Sequence, residues 1–411
     1  MLKNLFIFCL LLAFTSCKIN KLYERTTVDN QDFSTTIGFK RLSSGHIVIP
    51  VDINGEEYSF LVDTGTPNIV SKELAEKLQL EHIHHQKYID SQDNKLMLSL
   101  SVIDEMTIGG IRFRDNATTI HNFEKSPPTI RCLEIAGVIG ANLMKRAVWS
   151  FDFKRNEITI SSTGKNTVDR NASVIDFTSS YSGTPKVEVD INGIRDGKGY
   201  VDFGAKGLYK SSKRTFKKLC SATHKHKCET TSGYGSIASG AFGYEKPDSS
   251  HVALVHSFSV GSEAPVTLKN QLITLSNHSD KLLGLDFFEN FITTIDWFEN
   301  KIYLSENGLN SGKNSYDSFG FRTIYQDEKL YAGFIYNNSP AKKAGLQLGD
   351  RIININEFDF TSSSEDTFCE FLKSNVLTTA DRLQLKVRRG AKEIAINLQM
   401  ENLFGPSARL Q

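Results

Sequence analysis

Two short stretches of this 411-residue chain set an aspartate beside a glycine at the end of a strand-like run. The first is Asp63-Thr64-Gly65. It follows Val51-Asp52-Ile53-Asn54-Gly55, which reads as a strand closing in an Asn-Gly hairpin turn, and Tyr58-Ser59-Phe60-Leu61-Val62, which reads as the return strand. The second is Asp202-Phe203-Gly204. It follows Val189-Asp190-Ile191-Asn192-Gly193 and, after one inserted residue, Tyr200-Val201. A strand-end carboxylate is a group that gives and takes protons. Gly65 and Gly204 let the backbone turn sharply past it, and the small hydroxyls of Thr64 and Thr66 can hydrogen-bond to it rather than crowd it.

The elements that must position these acids also come in pairs. Val138-Ile139-Gly140 is matched by Leu282-Leu283-Gly284, and Asp152, Asn156 and Ile158 align without slippage on Asp296, Asn300 and Ile302. Shared order and spacing over this length imply two copies of one structural unit, each with one carboxylate. The copies are expected over residues 31–165 and 166–310. Each acid is followed by a short helix pattern, Ser71 to Leu80 in the first copy and Ser212 to Leu219 in the second, with Ser71 as the N-cap of the first. The glycine-rich piece Gly233 to Gly243 reads either as a mobile lid or as an ordinary flexible loop.

With 39% hydrophobic residues the chain has enough apolar side chains for two or three cores. Its formal net charge of +1 provides no field to gather nucleic acid, so no nucleic-acid partner is expected. Residues 1–17 carry Lys3 and an apolar run from Leu5 to Ala13, the pattern of an export signal. The run ends in Phe14-Thr15-Ser16-Cys17, which resembles a bacterial lipoprotein signal. The resemblance implies lipidation at Cys17 and a membrane-anchored protein of the cell envelope, with a plain signal peptide as the alternative; residues 18–30, polar and turn-poor, suit a tether. Of the other cysteines, Cys220 and Cys228 are spaced to close a small loop, whereas Cys132 and Cys369 fall in different units and are expected as buried free thiols. The groups His82, His84, His85 and Cys220, His224, His226, Cys228 match no common zinc spacing and are expected in solvated loops, so no metal site is assigned.

The doubled Asp-x-Gly, each followed downstream by two apolar residues and a glycine, resembles the pepsin and retropepsin group of aspartic proteases over about Gly45 to Ser305. The resemblance implies a mainly β fold of two pseudo-symmetric retropepsin-like lobes, with a peptide cleft between them and Asp63 and Asp202 as the catalytic pair. In that family two adjacent carboxyls share one proton and activate a water, with no cofactor. Thr64 matches the residue whose hydroxyl reaches across to the opposite loop, Thr66 matches a donor to the outer oxygen of Asp63, and Gly65 and Gly204 keep the turns. Phe203 stands where a threonine is expected, so half of the cross-axis hydrogen bonding is expected to be missing. One chain holds both lobes, so a monomer suffices.

From Tyr316 the pattern changes. Ser339-Pro340-Ala341, Ala344-Gly345-Leu346 and Gly349-Asp350 resemble an α+β PDZ domain of the bacterial protease-associated kind over residues 316–400, leaving 401–411 as a tail. The resemblance implies a groove beside Phe321 that accepts a peptide by strand addition, with the amides near Phe319, Gly320 and Phe321 holding a C-terminal carboxylate. The expected function is thus an anchored aspartic endopeptidase acting on peptide or protein substrates. The alternatives are a noncatalytic peptide-binding lipoprotein and a PDZ-based scaffold.

Overall fold

A computed structural model describes residues 21–29, 32–164, 168–220, 229–277, 280–309, 315–362 and 364–404. Cys17 lies outside them. The chain is mainly β, with 52% strand against 14% helix. No helix among the described residues is long and apolar enough to cross a membrane.

Both Asn-Gly pairs form the expected hairpin turns, with Asn54 and Asn192 at φ 56° and 51°. The first turn joins strand Ile47–Ile53 to strand Glu56–Asp63, which ends on the acid; the second joins Pro185–Ile191 to Ile194–Asp202. Each acid strand then pairs in parallel with the short strand holding the downstream glycine, so that Gly140 sits opposite Asp63 and Gly284 opposite Asp202. The helix after each acid is capped as its sequence demands: Ser71 Oγ accepts from Leu74 N at 3.0 Å, and Ser212 Oγ accepts from Thr215 N.

The order of strand pairing recurs between the two halves. In the first, Ile47–Ile53, Glu56–Asp63, Gly137–Gly140, Ile69–Ser71, Ile111–His121 and Lys95–Ile108 pair in that order and the last returns to the first. In the second, Pro185–Ile191, Ile194–Asp202, Leu282–Gly284, Tyr209–Ser212, Val266–Ser276 and Asp248–Val260 do the same. The residue inserted in the second copy is absorbed as a bulge after Val189, because Val189 pairs with Gly197 and Asp190 with Arg195. Asp196 is thereby left out of the pairing. Its side chain is only 3% exposed and is bonded by Tyr209 Oη at 2.8 Å, Ser211 Oγ at 2.6 Å and Lys281 Nζ at 3.1 Å.

A six-stranded sheet joins the halves through strands Val148–Asp152 and Phe291–Asp296. Ser150 pairs with Thr294, its own counterpart in the repeat, and their hydroxyls meet at 2.8 Å. One apolar core runs through both halves and includes Trp149, Phe151, Phe203 and Phe288.

Residues from Asp317 onward form a third unit with a core of their own, around Phe321, Leu330, Ile352, Phe368 and Val387. Its strand Lys329–Tyr336 extends the second half's sheet. Gly233, Tyr234 and Gly235 of strand Glu229–Gly235 pair with Tyr336, Ile335 and Phe334, so backbone hydrogen bonding runs on from one unit into the next. Helix Glu365–Ser374 lies against the first half, with Arg131 paired to Glu365 and Lys373 to Glu134.

Three expectations are corrected. Cys132 and Cys369 are not free thiols: they form a disulfide with a Cα–Cα distance of 5.3 Å that ties the first half to helix Glu365–Ser374. Their separation of 237 residues in sequence hid a contact created only by docking of the third unit. The tether is not free along its described length, because Tyr23 is fully buried against Leu100 and Ala117 and Thr27–Val28 pairs with Ile111–His121. Glu401 and Asn402, read as tail, pair with Ser318 and Asp317. Cys220 is disulfide-bonded; Cys228 lies outside the described residues.

Candidate active site

The two strand-end acids meet. A Cβ placed on Gly65 would come within 2.6 Å of the Asp202 carboxyl, and one placed on Gly204 would fall on the carboxyl of Asp63. Each glycine therefore faces the acid of the other half, and no side chain fits at either position. The amides of these glycines hold the pair: Gly65 N donates to Asp63 Oδ1 at 2.7 Å, while Gly204 N donates to Asp202 Oδ1 at 2.9 Å and reaches Asp63 Oδ1 at 3.2 Å.

The loops carrying the acids are locked from behind. Thr64 is fully buried; its hydroxyl donates to Val201 O at 2.8 Å and accepts from Phe203 N at 3.1 Å, crossing from one half to the other. Phe203 does not return this bond. It is fully buried against Phe151 at 4.9 Å and Phe288 at 5.0 Å, so aromatic packing fixes the second loop where a hydroxyl fixes the first. The downstream glycines are required for the same reason as the first pair. A Cβ on Gly140 would strike the backbone of Thr66, Pro67 and Asn68, and one on Gly284 the backbone of Ala205 and Gly207. Thr66 is a correction: among the described residues no hydrogen bond joins its hydroxyl to Asp63, and its carbonyl accepts from Ala141 N at 2.8 Å.

Burial raises the proton affinity of both acids. For Asp202, which is 8% exposed, the charge and hydrogen bond of Asp63 add to that desolvation and push it well above the usual carboxylate range. For Asp63 the Gly65 amide, the Asp202 hydrogen bond and His46 oppose the desolvation without cancelling it. Two carboxyls this close titrate as a coupled pair.

His46 was not singled out from the sequence. Its Nε2 lies 2.9 Å from the Gly204 carbonyl and its Nδ1 2.9 Å from Ser44 Oγ. A carbonyl only accepts, so Nε2 carries the proton and Nδ1 accepts from Ser44. Burial lowers the pKa of His46, so the ring is neutral at pH 7 and braces the Gly204 turn. No local sequence pattern linked it to a residue 158 positions away.

The cleft is covered from both halves. The hairpin tip Asp90 to Asn94 meets the glycine-rich strap: Phe242 N donates to Asp90 Oδ2 at 2.9 Å, and Asn94 Nδ2 reaches Tyr244 O at 3.4 Å. The strap is also bonded to Ser126 and Thr129 of the first half, and its strand end is paired to the third unit. The glycine-rich strap is thus bonded on three sides. Beneath it Lys210 Nζ donates to Gln92 Oε1 at 3.0 Å.

In the third unit Phe319 and Phe321 are buried, at 1% and 3% exposed. The Gly320 amide donates to Ser318 Oγ at 3.0 Å, so it is not open to a ligand as expected. No group of three or more His, Cys, Asp or Glu arranged to hold a metal ion occurs among the described residues.

A family model described as aspartyl protease matches residues 49–143, the span holding Asp63 and Gly140. The chain carries an aspartyl protease-like domain. No curated protein matched it. The matched span stops before Asp202, so the second half rests on the geometry above.

Proposed function

We propose that the protein is an aspartic endopeptidase in which Asp63 and Asp202 jointly activate a water for peptide-bond hydrolysis. The single observation that carries this reading is the reciprocal approach of each acid to the other half's glycine. The recurring strand order and the self-paired Ser150–Thr294 register support an acid-protease fold of two related lobes. In this reading Asp63 takes a proton from the water, whose oxygen attacks the scissile carbonyl, while Asp202 donates a hydrogen bond to that carbonyl as it becomes an oxyanion. Thr64, Gly65 and Gly204 keep the geometry. One chain holds both acids, so a monomer assembles the site.

The third unit is a PDZ-type domain in this proposal, and its groove takes peptide or protein C-termini beside Phe319, Gly320 and Phe321. The protein is exported and anchored to the bacterial envelope through a lipidated Cys17, and the disulfide at Cys132 supports an oxidising compartment. The missing hydroxyl at Phe203 favours a second reading, a peptide-binding body without turnover.

The test is incubation of the full chain with a randomised peptide mixture from acid to neutral pH, with products read by mass spectrometry. Cleavage by the wild type and none by Asp63→Asn/Asp202→Asn is expected. Equal cleavage by both overturns the dyad; binding by the wild type without cleavage selects the second reading.

A further inference from the structure

The loop that carries Asp202 leaves on strand Ile194–Asp202 and comes back on strand Tyr209–Ser212. The residue inserted in the second half ties these two stems together. Asp196, bulged out of its ladder between Arg195 and Gly197, turns its carboxylate to the returning strand, where Oδ2 accepts from Tyr209 Oη at 2.8 Å and from Ser211 Oγ at 2.6 Å. Its Oδ1 accepts from Thr215 Oγ1, in the helix that follows, and meets Lys281 Nζ at 3.1 Å. Lys281 Nζ also donates to the Asp196 carbonyl, and the Lys281 carbonyl accepts from Tyr200 N at 2.8 Å.

Lys281 stands immediately before Leu282–Gly284, the short strand that lies between the two stems. That strand runs parallel to Ile194–Asp202 and antiparallel to Tyr209–Ser212, and it sets Gly284 opposite Asp202. One buried carboxylate thus fastens all three strands that frame the Asp202 loop. Burial works to raise the pKa of Asp196, but the donors from Ser211, Thr215, Tyr209 and Lys281 outweigh it and hold the group below the usual carboxylate range.

The first half secures its acid by other means. Its hairpin pairs without a bulge, from Val48 with Leu61 to Ile53 with Glu56, and its loop is held by two buried amides. Asn142 Oδ1 accepts from Asn68 N at 2.6 Å, and Asn68 Oδ1 accepts from Gly140 N at 2.7 Å. Asn142 stands two residues after Gly140. Two residues after Gly284 stands Asp286, which pairs with Lys206 at 3.1 Å, while Gly284 N donates to the Leu208 carbonyl at 3.0 Å. With Phe203 in place of a threonine and Asp286 in place of an asparagine, the second half lacks the counterparts of both Thr64 and the amide pair. The Asp196 clamp is what that half supplies from its own side chains.

We propose that Asp196 is a positioning residue for the dyad: by tying the stems of the Asp202 loop it holds Asp202 against Asp63, as Asn68 and Asn142 hold the first loop. The inference rests on the peptidase reading above and adds to it a residue outside the acid motifs. Interaction between two carboxyls is what keeps their two titration steps apart, so a loop free to drift lets those steps approach each other.

The test is Asp196→Asn, which keeps the side chain's shape but presents one acceptor oxygen in place of two. A peptide recovered as a substrate from the randomised mixture is assayed across pH, well below the melting temperature of each protein. The kcat is expected to fall about ten- to a hundredfold with KM little changed, the scale that follows a displacement on the order of 1 Å at a reacting group. The bell-shaped profile of kcat against pH is expected to narrow as well. Loss of folded protein alone lowers kcat by one factor at every pH and leaves the width as it was. Tyr209→Phe, which removes one donor and keeps the ring, is the second variant and decides by the same narrowing if Asp196→Asn does not fold. A folded variant with the wild-type profile, or with a uniformly lowered profile of wild-type width, overturns the inference and leaves the peptidase reading standing. No cleavage by the wild type at any pH overturns both.

Discussion

At the scale of single residues the site is a balance between burial and hydrogen bonding. Desolvation raises both acids, and the charge of Asp63 adds to it at Asp202. This has a consequence for stability. Once the pH exceeds the ordinary carboxylate range, the folded protein still holds a proton that the unfolded chain has released, so stability falls as pH rises through the raised folded value. Asp202→Asn removes that dependence. The variant is expected to melt at a higher temperature than the wild type at neutral pH, with the gain vanishing in acid, where both acids are protonated in either state. A lower melting temperature at neutral pH contradicts the assignment. The acids and their glycines were legible in the sequence because the motif occurs twice in matching contexts. His46 and Asp196 were not: one contacts a distant carbonyl, and the other becomes a buried hub only because a bulge turns it out of its ladder.

At the scale of elements, hairpin turns and capped helices follow local rules, and the sequence carried them. Phe203 was legible as a departure from the threonine pattern, but its compensation was not, because the rings that enclose it come from strand Val148–Asp152, the turn after it and helix Leu285–Phe288. The same limit applies to helix Glu365–Ser374. Its length and Ser364 cap are local, while its attachment to the first half through Arg131, Glu134 and Cys132 is not. Closing so long a loop contributes about 2–5 kcal/mol by restricting the unfolded chain. Cys132→Ser/Cys369→Ser is therefore expected to lower the unfolding free energy read from urea titration by an amount in that range. Amide exchange is expected to rise along Glu365–Ser374 while the dyad loops stay protected. Unchanged exchange in that helix argues that the ion pairs alone hold it.

At the scale of the molecule, three units share backbone and covalent links: a six-stranded sheet between the halves, a continuous sheet into the third unit and the disulfide. A chain ending before residue 315 and carrying Cys132→Ser leaves the edge Gly233–Gly235 unpaired. Open strand edges recruit other chains, so this truncation is expected to self-associate in light scattering; a stable monomer argues that the edge is protected by other means. The internal repeat in the sequence foretold the meeting of the halves, but nothing local revealed that the last unit docks onto the first. The claim on which all of this depends is that the two halves bring residues 63 and 202 to one shared proton. Titration of aspartate carboxyl carbons by NMR tests it most directly. The account expects one of the two carboxyls to titrate well above the ordinary range and to shift downward in Asp63→Asn, where the neighbouring charge is gone. Two independent titrations in the ordinary range, unchanged by that substitution, would contradict it.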